Sequence, residues 1–288
     1  MINIKFSDNR KVFNWHEGGI PFVSFDMLDK LGVPNMYTTR YRSYDSELGH
    51  GEKGLRVAYM KGEDVDEARR VIRETMTELS SQLGSDIDHL RITNQQHTAK
   101  VIALDAGDFG YELSVEDTRE IDGLITDVPD ACLVVYGADC PSIYIADPVH
   151  GAIGLVHAGW KGTFGRIPQV AIEMMKEKYG SDPADMYAAI GPSICEACYE
   201  MGDEIYDRLC NEWGKADADA LMKRRESGKY HLDLWKANRM TLERAGVPAE
   251  RIVATNICTC CNSDEFYSYR ARKMQNEQAA LMVNRFGK

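Results

Sequence analysis

The stretch that decides the fold joins Gly137-Ala138-Asp139-Cys140-Pro141 to Val156-His157-Ala158-Gly159-Trp160-Lys161-Gly162. Two apolar runs lie between these motifs, on either side of the turn sequence Asp147-Pro148-Val149-His150-Gly151. Apolar runs separated by Pro and Gly predict a strand, a tight turn and a second strand. We therefore expect a β-hairpin that brings Cys140 and His157 side by side.

Apolar spacing outside the hairpin predicts further strands and helices in alternation. Residues 131–136 form a nearly continuous apolar run, which is typical of a strand buried on both faces. Residues 64–83 and 165–179 have helical spacing, each followed by Gly, and residues 266–270 precede a predicted terminal helix. Because no linker or change of composition interrupts the pattern, residues 1–288 are predicted to be one layered α/β domain.

Composition and charge exclude several classes of partner. The formal net charge is −11 and the isoelectric point is near 5.2, so the long-range field repels nucleic acid and anionic membranes. No apolar run approaches the roughly 18 to 20 residues that cross a bilayer. The first eight residues also lack the apolar segment of a signal peptide. We therefore expect a cytoplasmic protein that binds neither nucleic acid nor membrane.

The eight cysteines are too few for a disulfide scaffold of this length. The spacings Cys195-x-x-Cys198 and Cys258-x-Cys260-Cys261 suggest metal binding, but a zinc ribbon needs two C-x-x-C pairs a short distance apart. Here the second cluster has a different internal spacing and lies about sixty residues away. Most of the cysteines are accordingly predicted to be structural thiols.

Three side chains are candidate metal ligands. His97, Cys140 and His157 each lie at the end or bend of a predicted strand, where α/β proteins gather their functional side chains. Two imidazoles and a thiolate give zinc three protein ligands and leave a fourth tetrahedral position for water. This number of ligands is typical of a catalytic site, because a structural site is closed by a fourth side chain.

A series of short motifs in a fixed order supports a family assignment. The motifs are Asn94-Gln95-Gln96-His97, Asp122-Gly123-Leu124-Ile125-Thr126-Asp127, Ala138-Asp139-Cys140-Pro141, His157-Ala158-Gly159-Trp160-Lys161-Gly162, Ile190-Gly191-Pro192, Cys198-Tyr199-Glu200-Met201-Gly202, Leu232-Asp233-Leu234, Cys258-Thr259 and Phe266-Tyr267-Ser268-Tyr269-Arg270. Together they resemble the laccase-domain family over about residues 38–285. Bacterial members of that family are named polyphenol oxidase, peptidoglycan editing factor or purine nucleoside phosphorylase.

The resemblance implies a fold, a metal and a substrate class. The implied fold is a single α/β domain with mixed β-sheets, similar to cysteine hydrolases. The implied zinc ligands are His97, Cys140 and His157. The implied activities are phosphorolysis of adenosine, inosine or methylthioadenosine, with inorganic phosphate as the second substrate, and hydrolytic deamination of adenosine.

In addition to Cys140 and His157, four residues are candidates for substrate binding or catalysis. We expect Arg40, Lys161 and Arg270 to contact phosphate or substrate, and Asp139 to orient a ligand or carry a proton. Two positions depart from the family pattern. Glu47 stands where members commonly have an amide, and Lys161 replaces an arginine, which keeps the charge but loses the planar fork.

Three alternative functions remain open from the sequence. A copper-dependent polyphenol oxidase is opposed by the presence of only seven histidines and no His-x-His pair, although Cys and His ligands also bind copper. A cysteine hydrolase acting on peptidoglycan-precursor peptides would use Cys140 as nucleophile and His157 as base. A structural zinc in a binding protein is the third alternative. The sequence does not indicate an oligomeric state.

Overall fold

The strands of the protein are organised in two large sheets and one small sheet. The computed structural model describes residues 4–6, 12–40, 56–57, 64–116, 119–273 and 277–287. In chain order the strands are β1 Phe13–His16, β2 Phe22–Phe25, β3 Asn35–Thr38, β4 Leu90–Ile92, β5 Val101–Ala103, β6 Gly123–Thr126, β7 Cys132–Gly137, β8 Ser142–Asp147, β9 Ala152–His157, β10 Tyr187–Ile190, β11 Glu200–Met201, β12 Met222–Arg224, β13 Tyr230–Leu232, β14 Ile252–Ala254 and β15 Gln278–Val283.

Helices lie between these strands along the chain. They are α1 Asp26–Lys30, α2 Val65–Gln82, α3 Tyr111–Glu116, α4 Trp160–Phe164, α5 Ile167–Tyr179, α6 Asp203–Trp213, α7 Lys215–Leu221, α8 Leu234–Arg244 and α9 Tyr269–Arg272. None of the helices within the described ranges combines the length and apolar character needed to cross a lipid bilayer.

Both large sheets are mixed. The first has the strand order β1-β2-β3-β15-β7-β4, and its pairs are antiparallel except for β4 with β7. The second has the order β14-β10-β8-β9-β6-β5, with parallel pairs at its two edges. The predicted α/β fold with mixed sheets is therefore confirmed.

An apolar cluster common to both large sheets forms the central core. Val135 and Phe25 of the first sheet belong to the same buried cluster as Leu155 and Tyr144 of the second. The Tyr144 hydroxyl donates a 2.6 Å hydrogen bond to the carbonyl of Met36, which ties the sheets together and satisfies a buried polar group. Fully burying a side chain of this size contributes about 1.5 to 3 kcal/mol, so the packing fixes the position of one sheet on the other.

The predicted hairpin is the centre of the second sheet. Strands β8 and β9 pair antiparallel, with Ser142 opposite His157 and Asp147 opposite Ala152. All residues of both strands are buried, in agreement with their apolar composition. The register places the start of β8 beside the end of β9, so Cys140 and His157 are neighbours as expected.

The two predicted long helices are also confirmed. Helix α2 begins after Asp64, whose carboxylate accepts a hydrogen bond from the backbone N–H of Glu67 and caps the helix. Helix α5 ends at Gly180, which has a φ of 73°, a left-handed conformation that favours glycine. Both helices bury one apolar face against a sheet, as the spacing of their apolar residues predicts.

The predicted terminal helix is wrong, because the segment forms β15 instead. Residues 278–283 pair with β3 on one side and β7 on the other, and all six are buried. Their Ala, Leu and Met residues favour a helix in isolation. Burial on both faces of a central strand overrides this preference, since such a position selects apolar residues without alternation.

A small third sheet forms a further layer together with three helices. Strands β11, β13 and β12 pair antiparallel, and a separate apolar cluster joins them to α6, α7 and α8. The Trp213 indole N–H donates a 2.8 Å hydrogen bond to the carbonyl of Phe164 at the end of α4. This layer therefore packs against the chain segment that follows His157.

Candidate metal centre

Three loops or strand ends bring the predicted ligands together. His97 lies in the turn after β4, Cys140 between β7 and β8, and His157 at the end of β9. Their ligand atoms all lie within 4.8 Å of one another. The two imidazole rings meet edge to face, with their centroids 4.9 Å apart. His157 is buried, Cys140 is partly buried and His97 is exposed, so the centre opens to solvent on one side.

The carboxylate of Asp122 holds two of the three ligands in place. It is fully buried and lies 2.8 Å from Nδ1 of His157. It also accepts hydrogen bonds from the backbone N–H groups of Gln96, His97 and Thr98 and from the Thr98 hydroxyl. A carboxylate on Nδ1 fixes the imidazole tautomer and leaves Nε2 available as a ligand. The same side chain therefore orients both histidine ligands.

Gly159 packs closely against two of the ligands, and its lack of a side chain leaves room for them. A Cβ at this position would lie 2.8 Å from Cδ2 of His97 and 3.0 Å from Sγ of Cys140. No residue with a side chain fits there without moving a ligand. The turn that carries His97 is also constrained, because this residue has a φ of 59°, which is uncommon for a residue with a side chain.

The electrostatics of the centre favour the thiolate. Burial raises the pKa of the Cys140 thiol, but the charge of His157 and hydrogen bonds from both imidazoles outweigh this effect and lower the pKa to about 6. Burial lowers the pKa of His157, whereas the Cys140 thiolate and Asp122 raise it to about 10. Burial likewise raises the pKa of Asp122, but its hydrogen bonds with His157 and Thr98 produce a net lowering.

The donor set fits a transition metal ion. A thiolate and two imidazoles on separate rigid segments match the ligands that zinc prefers, and the exposed side leaves a coordination position open. The backbone at Gly159 packs directly against the ligands, as expected around a metal site. Nδ1 of His157 donates a hydrogen bond to Asp122, which is the usual support for a histidine ligand.

A cavity of about 670 Å³ lies over the exposed side of the centre. This volume is within the range of about 300 to 1,000 Å³ typical of small-molecule sites. The cavity combines aromatic rings, cations and two carboxylates with two of the metal ligands. It is lined by His97, Ala138, Asp139, Cys140, Trp160, Tyr199, Met201, Tyr269, Arg270, Lys273 and Glu277.

Two of the other candidate residues reach the cavity. The Asp139 carboxylate is buried and accepts 2.7 Å hydrogen bonds from the Thr259 hydroxyl and the Arg270 backbone N–H. The Arg270 guanidinium donates to the carbonyls of Cys198 and Glu200 and lies over the Tyr199 ring. Asp139 therefore fixes the segment that carries Arg270, and Arg270 in turn fixes the segment that contains Cys198 and Glu200.

The remaining candidates lie elsewhere. Arg40 donates to the carbonyl of Ser263, and the ammonium of Lys161 is exposed beside the Trp160 ring. Neither is among the described residues that line the cavity. Glu47 and residues 41–46 lie outside the described residues.

Sequence reasoning missed three residues of the site. Asp122 appeared only as part of a motif, because its role depends on a contact with the distant turn at Thr98. Lys273 and Glu277 lie in a segment whose secondary structure was predicted incorrectly. Burial and the Cys140 thiolate raise the pKa of the Glu277 carboxyl, the charges of His157 and His97 lower it, and the result is about 7.

Comparison with known proteins supports the family assignment. Residues 58–284 match the family described as multi-copper polyphenol oxidoreductase laccase. A purine nucleoside phosphorylase of Bacteroides thetaiotaomicron is 35% identical over 209 residues, which cover 71% of this chain and 76% of that protein. Adenosine deaminase RL5, from an unknown prokaryotic organism, is 35% identical over 207 residues, covering 71% of this chain and 78% of that protein.

The fold is also that of a solved relative. The crystal structure of YlmD from Geobacillus stearothermophilus superposes with a TM-score of 0.80 at 26% sequence identity, covering 96% of this chain and 100% of that one. The resemblance inferred from the motifs is thus confirmed, and this chain belongs to the laccase-like family described as multi-copper polyphenol oxidoreductase laccase.

Proposed function

We propose that this protein is a zinc-dependent enzyme that cleaves purine nucleosides by phosphorolysis and deaminates adenosine by hydrolysis. The observation that carries the proposal is the 670 Å³ cavity, which places aromatic and cationic side chains over the metal centre formed by His97, Cys140 and His157. The relatives named purine nucleoside phosphorylase and adenosine deaminase support the same substrate class.

The lining of the cavity suits a nucleoside. Trp160, Tyr199 and Tyr269 offer ring surfaces to a purine base, since aromatic side chains stack on planar rings. Lys273 also lines the cavity and supplies positive charge for inorganic phosphate, which needs a local basic group because the whole chain is acidic.

The chemistry of deamination requires a nucleophilic oxygen and a proton carrier. When bound, zinc supplies Lewis-acid chemistry and lowers the pKa of a coordinated water to about 7. The oxygen of water adds to the purine carbon that bears the amino group, and ammonia leaves from that carbon. Glu277 lines the cavity, burial raises the pKa of its carboxyl, and it can move the proton from the attacking water to the leaving amino group.

Phosphorolysis needs positioning and charge stabilisation. A phosphate oxygen attacks the anomeric carbon of the sugar, the bond from that carbon to the base nitrogen breaks, and the base leaves with the proton that the hydrogen phosphate gives up. Lys273 and Arg270 would hold the phosphate against the sugar. Both carboxylate oxygens of Asp139 accept hydrogen bonds within the wall, so we assign it the role of positioning Arg270.

A chromatographic assay of adenosine, inosine and methylthioadenosine, with and without phosphate, tests the proposed function. We expect free base and pentose 1-phosphate only when phosphate is present, and inosine from adenosine in both conditions. Base release that is independent of phosphate, or no turnover of any of the three, would contradict the proposal.

A matched pair of lysine variants tests where phosphate binds. Lys273→Ala should raise the KM for phosphate about tenfold or more, because a hydrogen bond to a charged group contributes about 1.5 to 3 kcal/mol. Lys161 remains a candidate phosphate contact, but it does not line the cavity, so Lys161→Ala should have a smaller effect. Phosphate saturation curves at fixed inosine measure both. A larger rise in the KM for phosphate in Lys161→Ala than in Lys273→Ala would indicate that phosphate binds at the turn after His157 instead.

A cysteine hydrolase is the second candidate, and one observation favours it. The Cys140 thiol lies beside the His157 imidazole, and the Asp122 carboxylate orients that imidazole, which is the arrangement of a catalytic triad. Zinc binding and nucleophilic attack use the same thiolate and exclude each other. A hydrolase of peptidoglycan-precursor peptides would keep its activity after chelation and lose it on alkylation of Cys140.

The histidine contacts do not favour a multicopper oxidase. His97 and His157 are the histidines of the metal centre. The other histidines within the described ranges are bonded to neighbouring groups, namely His16 to Ser24, His89 to Asp86, His150 to Asp147 and His231 to the carbonyl of Glu196.

A further inference from the structure

Two cysteine pairs that are far apart in the sequence meet in the structure. Cys195 and Cys198 flank a short helical turn before β11, and Cys258 and Cys261 flank the turn after β14. All four sulfur atoms lie within 4.8 Å of one another. The expectation that separation and spacing keep these cysteines from forming a metal site is therefore wrong, because the four thiols lie together. Cys258 and Cys261 are themselves a C-x-x-C pair, and the fold removes the distance between the pairs.

The sulfur geometry is closer to metal coordination than to a disulfide. The Sγ atoms of Cys198 and Cys261 are 3.5 Å apart. A disulfide requires about 2.05 Å. Four thiolates at about 2.3 Å from a tetrahedral zinc ion would lie about 3.7 Å from one another. The spacing of these four sulfurs leaves room for a single ion between them.

Backbone donors at the cluster stabilise a thiolate. The N–H groups of Cys195 and Cys261 each donate a hydrogen bond to Sγ of Cys258, both at 3.3 Å. Cys258 is only 2% exposed, so these contacts are made out of water. Amide donors to a buried sulfur favour its deprotonated form, which is the form that binds metal.

We propose that Cys195, Cys198, Cys258 and Cys261 form a second metal site, which holds a structural zinc ion. Four protein sulfurs close the tetrahedron and leave no position for water or substrate, in contrast to the three ligands of His97, Cys140 and His157. Zinc is the metal that such a single-ion tetrahedral thiolate site prefers. The proposal does not depend on the proposed function.

The second site would fix the wall of the cavity. The carbonyl of Cys198 accepts a hydrogen bond from the Arg270 guanidinium, and Tyr199 follows directly. Thr259, between Cys258 and Cys261, donates to Asp139 beside the metal ligand Cys140. The ion would thus join the two loops that position these contacts, as structural zinc commonly does.

Zinc content of the full chain, purified without added metal, tests the proposal. We expect two zinc ions per chain in the wild type and one in Cys140→Ala. Cys261→Ser should also retain one, while the neighbouring Cys260→Ser should retain two, since Cys260 is outside the group of four. X-ray absorption of zinc-loaded Cys140→Ala should show sulfur ligands alone at about 2.3 Å.

Three results would overturn the proposal. One is a single zinc in the wild type and none in Cys140→Ala. Another is loss of zinc from Cys260→Ser equal to that from Cys261→Ser. The third is a disulfide between Cys198 and Cys261, found by mass spectrometry in protein kept free of oxygen. The X-ray absorption of Cys140→Ala decides the question even if Cys261→Ser does not fold.

Discussion

Cys140→Ala is expected to remove the metal from the centre formed with His97 and His157 and to lower kcat/KM for adenosine and inosine by more than about 100-fold. Loss of a residue that merely orients a ligand costs about 10- to 100-fold, and loss of a ligand should cost more. The fold should remain, because the sheets and Asp122 hold both histidines without help from the thiol. Metal analysis, steady-state kinetics and thermal unfolding measure the three effects.

Cys210→Ala is the matched control for this variant. Cys210 is partly buried on α6 and lies outside both groups of candidate ligands. The control should keep its metal and its turnover. Full nucleoside turnover by Cys140→Ala that has lost the metal from this centre would refute the metal-dependent mechanism, whereas loss of folded protein would show that the thiol has a structural role.

Asp122→Asn should have the second largest effect, and it should reduce both stability and metal affinity. The amide NH₂ cannot accept the hydrogen bonds that the carboxylate accepts from Gln96, His97 and Thr98. Each buried donor left without a partner costs about 1 to 3 kcal/mol of stability. Metal affinity should fall about 10- to 100-fold, because the imidazole of His157 loses its orienting carboxylate.

Urea unfolding and competition with a chelator measure these two losses. Asp127→Asn is the matched control, since it makes the same chemical change just beyond the other end of β6, where the side chain is exposed. The control should differ little from the wild type. If both variants were equally stable and bound metal equally well, the role assigned to Asp122 would be wrong.

The stability lost in Asp122→Asn should depend on pH with a definite sign. The pKa of Asp122 is lower in the folded protein than its ordinary value. Such a group contributes stability that is fully present above its unfolded pKa of about 3.9 and is lost as the pH falls through the folded pKa. The difference in free energy of unfolding between variant and wild type should therefore be constant near neutrality and shrink in acid.

Local patterns predicted the parts of the molecule that are determined locally. The hairpin that carries Cys140 and His157 follows from two apolar runs around a turn that contains Pro148 and Gly151. Helices α2 and α5 follow from apolar spacing and from their ends at Asp64 and Gly180. In these elements the local preference for strand or helix agrees with the pattern of buried residues, so the sequence alone is sufficient to predict them.

The parts that were missed depend on tertiary neighbours. The role of Asp122 arises because the turn before Thr98 comes to lie against the start of β6, which no periodicity reveals. The contact between Cys195 and Cys258 likewise requires that β10 and β14, the strands before them, lie side by side. The helical composition of residues 278–283 is overridden by their place between two strands.

The central position of β15 has a consequence for synthesis on the ribosome. The backbone N–H of Ala279 donates to the Thr38 hydroxyl, which joins residues 241 positions apart. Strands β3 and β7 are made long before β15, and until it emerges each presents an unpaired apolar edge, a template for aggregation. The first sheet can close only late in translation, so the nascent chain would benefit from a chaperone that covers these edges.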